Sequence, residues 1–156
     1  MNIVKLTDND LRVSAHVAFD RGLPSILQGL RNVNGGKDDP FLRHVYGAIG
    51  ECAFAKFANI YWDGSVNRFN GMGQDVGDFQ VRARSAKNLP MIIRPNDKDT
   101  DLFVLVQMLS GLREWNIAGY ISGKRGKEIG KLTPMQGGDR FLVSETQLGD
   151  IKDVIK

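Results

Sequence analysis

The chain has 156 residues, of which 42% are hydrophobic and 25% are charged, and its formal net charge is +3. This length suits one compact domain and is short for two, and the composition excludes a disordered chain. The mildly basic balance permits a polyanionic partner without requiring one.

The cysteine content and the length of the apolar runs indicate the cellular compartment in which the protein is expected. Cys52 is the single cysteine, which excludes an internal disulfide and a cysteine-rich zinc site and fits a reducing environment. The longest purely apolar run, residues 102–106, is far shorter than the roughly 20 residues that span a bilayer. The N-terminus also lacks the apolar stretch of a signal peptide. We therefore expect a soluble, cytoplasmic protein with no membrane partner.

The first 40 residues are predicted to form a helical arm. Residues 7–21 begin with Thr7, which can cap a helix, and acidic residues in the first turn suit the positive end of the helix dipole. A second helical piece covers 25–31, and a loop rich in Gly, Asn and Asp follows over 32–40. We place no domain boundary after the arm, because about 40 residues rarely fold alone.

A long amphipathic helix is predicted over residues 41–60, where apolar residues recur at spacings of three and four. A second stripe on this helix consists of small residues, apart from His44 and Glu51. Small side chains allow a neighbouring element to approach closely, so Glu51 would project into the face that the stripe covers. The alternative is that Glu51 lies on a solvated face.

The second half of the chain predicts strands separated by turn signals. The predicted strands cover residues 66–69, 79–84, 91–94, 102–108, 115–122 and 140–143. The run 102–106 has no alternation, which is typical of a central strand covered on both faces. A short helical tail is predicted over 146–155. Helices followed by strands predict an α/β or α+β sandwich.

The most informative segment is 75–84, where acidic residues at a tight turn precede a strand with alternating apolar and polar positions. On that strand Gln80, Arg82 and Arg84 share one face. Carboxylate and amide oxygens are the ligands that Mg²⁺ prefers, and a guanidinium can stabilise a phosphate. The side chains that could form one such site are Glu51, Asp75, Asp78, Gln80 and Arg82.

Two clusters of basic residues are candidates for phosphate contacts. They contribute the candidate nucleic-acid-binding residues Arg84, Lys87, Arg94, Lys124 and Arg125. The alternative is that these side chains are only solvated. An acidic series, Asp97, Asp99 and Asp101, lacks the glycine and the final acid of a calcium loop, so we interpret it as a polar loop between strands.

Five short motifs follow one another along the chain. They are Gly47-Ala48-Ile49-Gly50-Glu51, Asp75-Val76-Gly77, Gln80-Val81-Arg82-Ala83-Arg84-Ser85, Phe103-Val104-Leu105-Val106 and Ile117-Ala118-Gly119-Tyr120-Ile121. In this order and spacing they resemble the PD-(D/E)XK nuclease-like superfamily, and more closely its small phage and prophage members. The resemblance covers roughly residues 7–148. It implies one α/β domain with a mixed central β-sheet flanked by helices, a restriction endonuclease-like core over 41–145, the helical arm over 1–40 and a tail over 146–156.

The resemblance also implies a catalytic site. Glu51 matches the helix glutamate of the superfamily, and Asp75 matches its first acid. Gln80 stands at the second acid and Arg82 at the lysine. The implied ligands of Mg²⁺, or Mn²⁺, are Glu51, Asp75 and Asp78. Glutamine removes one negative charge from such a site, and arginine supplies a cation that cannot act as a base.

Two functions follow from the resemblance as expectations. The first is a metal-dependent DNA nuclease, a hydrolase of the endonuclease or exonuclease kind, impaired by the two departures. The alternative is a catalytically inactive nuclease-like module that binds DNA or a host protein. A homodimer is compatible with both. A phage-encoded protein of either kind would act in the cytoplasm of the bacterial host cell.

Overall fold

The computed structural model describes residues 1–27, 40–64 and 73–155. Its helices are α1 (Asp8–Leu27), α2 (Pro40–Ala58) and α3 (Gly123–Ile129). Its strands are β1 (Ile3–Lys5), β2 (Phe79–Arg84), β3 (Met91–Ile93), β4 (Leu102–Ser110), β5 (Glu114–Ser122), β6 (Lys131–Thr133) and β7 (Arg140–Val143). Neither of the two long helices in these ranges is apolar enough to cross a bilayer.

The main sheet has the strand order β1-β5-β4-β2. β2 runs parallel to β4, whereas β4 and β1 run antiparallel to β5, so the sheet is mixed. Residues 103–107 of β4 are buried, which confirms the prediction of a central strand. In the described part of the chain, β2 is the outermost strand on its side. The coarse prediction of an α/β fold with a mixed sheet is confirmed.

The two faces of the main sheet are covered by different layers. Apolar residues of α2, such as Ile49 and Phe54, pack in one core with Val81 and Val104. The ring of Phe54 meets that of Phe79 edge to face, with centroids 5.2 Å apart. Because side chains alternate along β2, its polar residues point to the opposite face.

A second, antiparallel sheet with the order β3-β7-β6 covers this opposite face. Met91 and Ile93 of β3 and Val143 of β7 pack there against Phe103 and Leu105 of β4. The outer edge of β2 therefore lies between the helix layer and the second sheet. This edge carries the candidate site.

Several boundaries differ from the sequence prediction. α1 continues past residue 21 to Leu27 with Pro24 inside it, and β1, α3 and β6 were not predicted. The predicted helical tail over 146–155 is not one continuous helix but two short 3₁₀ helices, Glu145–Gln147 and Ile151–Asp153. Between them Gly149 exchanges two backbone hydrogen bonds with Tyr120 of β5, which interrupts a helix. The predicted strand 66–69 lies outside the described residues, as does the predicted loop up to Asp39.

Candidate functional site

Helices α1 and α2 pack against each other in opposite directions and position Glu51. Lys56, late in α2, donates a hydrogen bond of 2.6 Å to Asp10, early in α1. The stripe of small residues on α2 faces α1, since Glu51 contacts Arg21 there and His44 lies beside Gly22. The prediction that Glu51 projects into the face covered by the stripe is confirmed.

Glu51 is held by three hydrogen bonds and is only 6% exposed. Nη1 of Arg21 donates to Oε1 of Glu51 at 2.7 Å, and Nη2 donates to Oε2 at 2.8 Å. Nε1 of Trp62 donates to the same Oε2 at 3.1 Å. This is the two-pronged geometry that a guanidinium makes with a carboxylate. The alternative of a solvated Glu51 is wrong.

Three acids act electrostatically on the Arg21 guanidinium. Burial raises the pKa of Glu51, and neighbouring Asp75 adds to that rise, while Arg21 and Trp62 oppose it. For Arg21, burial works against the charge, but Glu51, Asp75 and Asp63 outweigh it and raise the pKa. Two of the predicted site residues, Glu51 and Asp75, therefore interact electrostatically. Arg21 is the cation that they share.

The predicted tight turn before β2 exists and fixes Asp75. Val76 and Phe79 form an antiparallel bridge across the turn, and Gly77 adopts the left-handed φ of 55° that glycine tolerates best. Oδ2 of Asp75 accepts a hydrogen bond of 2.7 Å from the backbone N–H of Val81. That N–H belongs to the outer edge of β2, so the Asp75 carboxylate lies against this edge. Asp78 is exposed on the same turn.

The predicted metal ligands do not come together as a set. Within residues 1–27, 40–64 and 73–155, no three acidic, histidine or cysteine side chains are grouped as ligands of one ion. Both carboxylate oxygens of Glu51 receive hydrogen bonds from Arg21. The donor set thus does not fit Mg²⁺ while Arg21 stays in place, and Mg²⁺ or Mn²⁺ binding stays a prediction.

The Gln80 side chain stabilises the segment before the turn by hydrogen bonds. Its Nε2 donates to Oε1 of Gln74 at 2.7 Å and to the carbonyl oxygen of Gly73 at 3.3 Å. Gln74 in turn donates to Oδ1 of Asp101 at 3.2 Å. The amide therefore ties residues 73–74 to β2 and to the start of β4.

Arg82 is fixed by an acid that sequence reasoning interpreted as part of a polar loop. Its Nη2 donates to both carboxylate oxygens of Asp97, at 3.0 and 2.9 Å. Its guanidinium carbon lies 4.7 Å from the centre of the Phe103 ring, within the range of a cation–π contact. Oδ2 of Asp97 also accepts from the backbone N–H of Arg94 at 2.8 Å, and Lys127 donates to the Asp97 carbonyl oxygen.

A cavity of about 450 Å³ opens along the outer edge of β2. Five arginines line it, Arg43 from α2, Arg82 and Arg84 from β2, Arg94 after β3 and Arg140 from β7. The described residues of the lining include no acid. We call this cavity the arginine pocket.

The arginines of the pocket repel one another electrostatically. Partial burial, together with the guanidiniums of Arg82, Arg140 and Arg43, lowers the pKa of Arg94, although Asp97 opposes the effect. The Arg94 residue as a whole is nevertheless exposed. Like charges held this close favour an anion between them.

The sequence predicted part of this pocket. Arg84 and Arg94 were predicted to contact phosphate and Arg82 to act in catalysis, and all three line the pocket, whereas Lys87, Lys124 and Arg125 do not. Arg43 and Arg140 were missed. The helical spacing of Arg43 and Gly47 could have indicated Arg43, because residues four apart share a helix face. Arg140 gave no local signal, since β7 reaches β3 only through long-range pairing.

No protein-family model, curated protein or solved structure matches this chain. Its function must therefore be inferred from the site itself.

Proposed function

We propose that the protein binds nucleic acid, DNA in the first instance, through the arginine pocket, on the restriction endonuclease-like core that the motif resemblance implies. The observation that carries the proposal is the convergence of guanidiniums from α2, β2, β7 and the segment after β3 on one cavity. Guanidinium groups bind phosphate oxygens through paired hydrogen bonds, so arginine is the residue that phosphate recognition favours.

Arg82 supports the proposal through its fixed position. Asp97 and the Phe103 ring hold its guanidinium before any ligand arrives. A cation that is already ordered loses less conformational entropy on binding than a mobile one does. Arg94 is the exposed arginine of the lining, so an approaching polyanion can reach it directly.

The test is fluorescence anisotropy with labelled single-stranded and double-stranded oligonucleotides over a series of salt concentrations. The phosphate contacts predict that affinity falls steeply as salt rises. Arg94→Gln is expected to weaken binding about tenfold, the equivalent of about 1.4 kcal/mol, and to lower the salt slope by about 0.7–0.9 for each phosphate that the variant no longer neutralises.

Arg12→Gln is the matched control for this test. Arg12 is an exposed residue of α1 outside the pocket, and its substitution changes the net charge by the same amount. It is expected to leave affinity nearly unchanged. Equal reductions of affinity in Arg94→Gln and Arg12→Gln, or binding that ignores salt, would contradict phosphate recognition by this pocket.

Metal-dependent cleavage of phosphodiesters is a second candidate function. The interaction of Glu51 with Asp75 at the edge of β2 favours it, because this edge also carries the arginine pocket. A divalent cation would supply charge stabilisation beside a phosphate. The Glu51 carboxylate is available for this purpose only after Arg21 leaves it, so we derive no catalytic step.

Incubation with DNA or RNA and Mg²⁺ or Mn²⁺ tests this candidate. If it is correct, cleavage products form in the wild type, disappear on chelation and disappear in Asp75→Asn. Asp78→Asn, on the same turn, shows whether the exposed acid contributes as a ligand. A preparation that binds oligonucleotides but cuts none of them with either metal would exclude this candidate and leave the binding proposal intact.

A further inference from the structure

We propose that the arginine pocket receives the terminal phosphate of a nucleic-acid strand, a phosphomonoester, in preference to internal phosphodiesters. This inference rests on the proposed nucleic-acid binding and specifies the part of the polymer that enters the pocket.

The size of the pocket supports a strand end. Its volume of about 450 Å³ lies within the range of small-molecule sites, which hold single compact ligands. Three layers surround it, namely α2 on one side, the edge of β2, and β3 with β7 on the other. A duplex cannot enter a recess of this size, whereas one terminal nucleotide can.

The number of cations supports a doubly charged group. An internal phosphodiester carries one negative charge, whereas a phosphomonoester carries about −1.5 to −2 near pH 7 and presents three strong acceptor oxygens. Five arginines line the pocket, and even without Arg82, which Asp97 already pairs with, they are more than one diester can engage through its two free oxygens. Burial and the neighbouring guanidiniums lower the pKa of Arg94, and the repulsion among these guanidiniums is relieved most by the more highly charged ligand.

The five arginines of the pocket differ in their exposure to solvent. Arg94 is exposed, while Arg43, Arg82, Arg84 and Arg140 are partly buried. Tyr46, Ile92 and Met135 add apolar surface to the lining, which suits the sugar and base attached to the phosphate. A group bound by the partly buried arginines lies below the rim, where the end of a strand reaches more easily than its middle.

Three oligonucleotides of one sequence, labelled internally, test the inference. One carries a 5′-phosphate, one a 3′-phosphate and one hydroxyl groups at both ends. We expect at least one phosphate-ended strand to bind about tenfold more tightly than the hydroxyl-ended strand, and treatment with a phosphatase to abolish the difference. The preference should shrink as pH falls below about 6, where the monoester gains a proton. Binding of the hydroxyl-ended strand should lack this component.

Arg43→Gln is expected to reduce the preference for a phosphate end, and Arg12→Gln to leave it unchanged, with thermal melting as the check that both variants fold. Equal affinity for all three strands overturns the inference but leaves salt-dependent nucleic-acid binding standing. No binding of any strand overturns both. A free nucleoside monophosphate that binds more tightly than the phosphate-ended strand would identify a nucleotide site and overturn the inference.

Discussion

Replacing Arg21 by glutamine is expected to lower the free energy of unfolding by about 3–5 kcal/mol at neutral pH. The substitution removes both guanidinium hydrogen bonds to Glu51 and leaves that carboxylate buried beside Asp75. An unpaired buried charge retains its desolvation penalty without the attraction that offset it. Urea denaturation measures the decrease, and the slope with denaturant should stay constant because the surface exposed on unfolding is unchanged.

The pH dependence of the Arg21→Gln variant has a definite sign. The pKa of Glu51 is already raised in the folded protein, and removal of Arg21 raises it further. A folded-state carboxyl with a raised pKa destabilises the protein while it is ionised. The variant should therefore regain stability as pH falls through the folded pKa of Glu51, and the penalty should be absent below the unfolded value near 4.5.

Two further variants distinguish the contribution of the Arg21–Glu51 ion pair from the general loss of a charge between the helices. Lys56→Gln breaks the more exposed ion pair with Asp10 between the same two helices and should cost about 1 kcal/mol or less. The double variant Arg21→Met, Glu51→Met removes both charges and should recover most of the stability that Arg21→Gln removes. Equal destabilisation by Lys56→Gln and Arg21→Gln would show that the Arg21–Glu51 contact contributes no more to the free energy of unfolding than an exposed ion pair does.

Gly50→Ala and Gly47→Ala are expected to change stability in opposite directions. A Cβ at Gly50 would lie 2.6 Å from the Cβ of Ala83 in β2, so α2 and the sheet must separate. Overpacking of this kind costs about 1–3 kcal/mol. A Cβ at Gly47 meets nothing within 4 Å, and alanine there should stabilise the helix by about 0.5–1 kcal/mol.

Thermal or urea unfolding of the two glycine variants checks this expectation. The variants are a matched pair, because Gly47 and Gly50 lie about one turn apart on the same helix. Oligonucleotide binding gives a second readout, since α2 and β2 both line the arginine pocket and Gly50 lies where they touch. We expect Gly50→Ala to weaken binding as well as folding. Shifts of the two variants in the same direction would refute the close contact between Gly50 and Ala83.

The sequence predicts those features that depend on neighbouring residues. The alternation in 79–84 gave the bounds of β2, and the tight turn before it formed as expected. The unbroken apolar run 102–106 gave the central strand. These signals are local because side-chain direction along a strand alternates residue by residue.

The contacts that define the site are not local, and sequence reasoning missed them. Arg21 meets Glu51 across 30 positions, and Arg82 meets Asp97 across 15. Pairing of β3 with β7 brings Arg140 to the same pocket as Arg94. The partner of a charged residue cannot be identified from a single sequence, because attraction between ions depends on distance in space and not on spacing along the chain.

Asp97 links two arginines of the pocket to the loop between β3 and β4. The same carboxylate holds the Arg82 guanidinium and the backbone N–H of Arg94, and Lys127 ties its carbonyl oxygen to α3. A shift of Asp97 would therefore move the Arg82 guanidinium and the Arg94 backbone together. For an anion bound as proposed, selectivity is thus tunable through Asp97 and Lys127, whose side chains do not line the cavity.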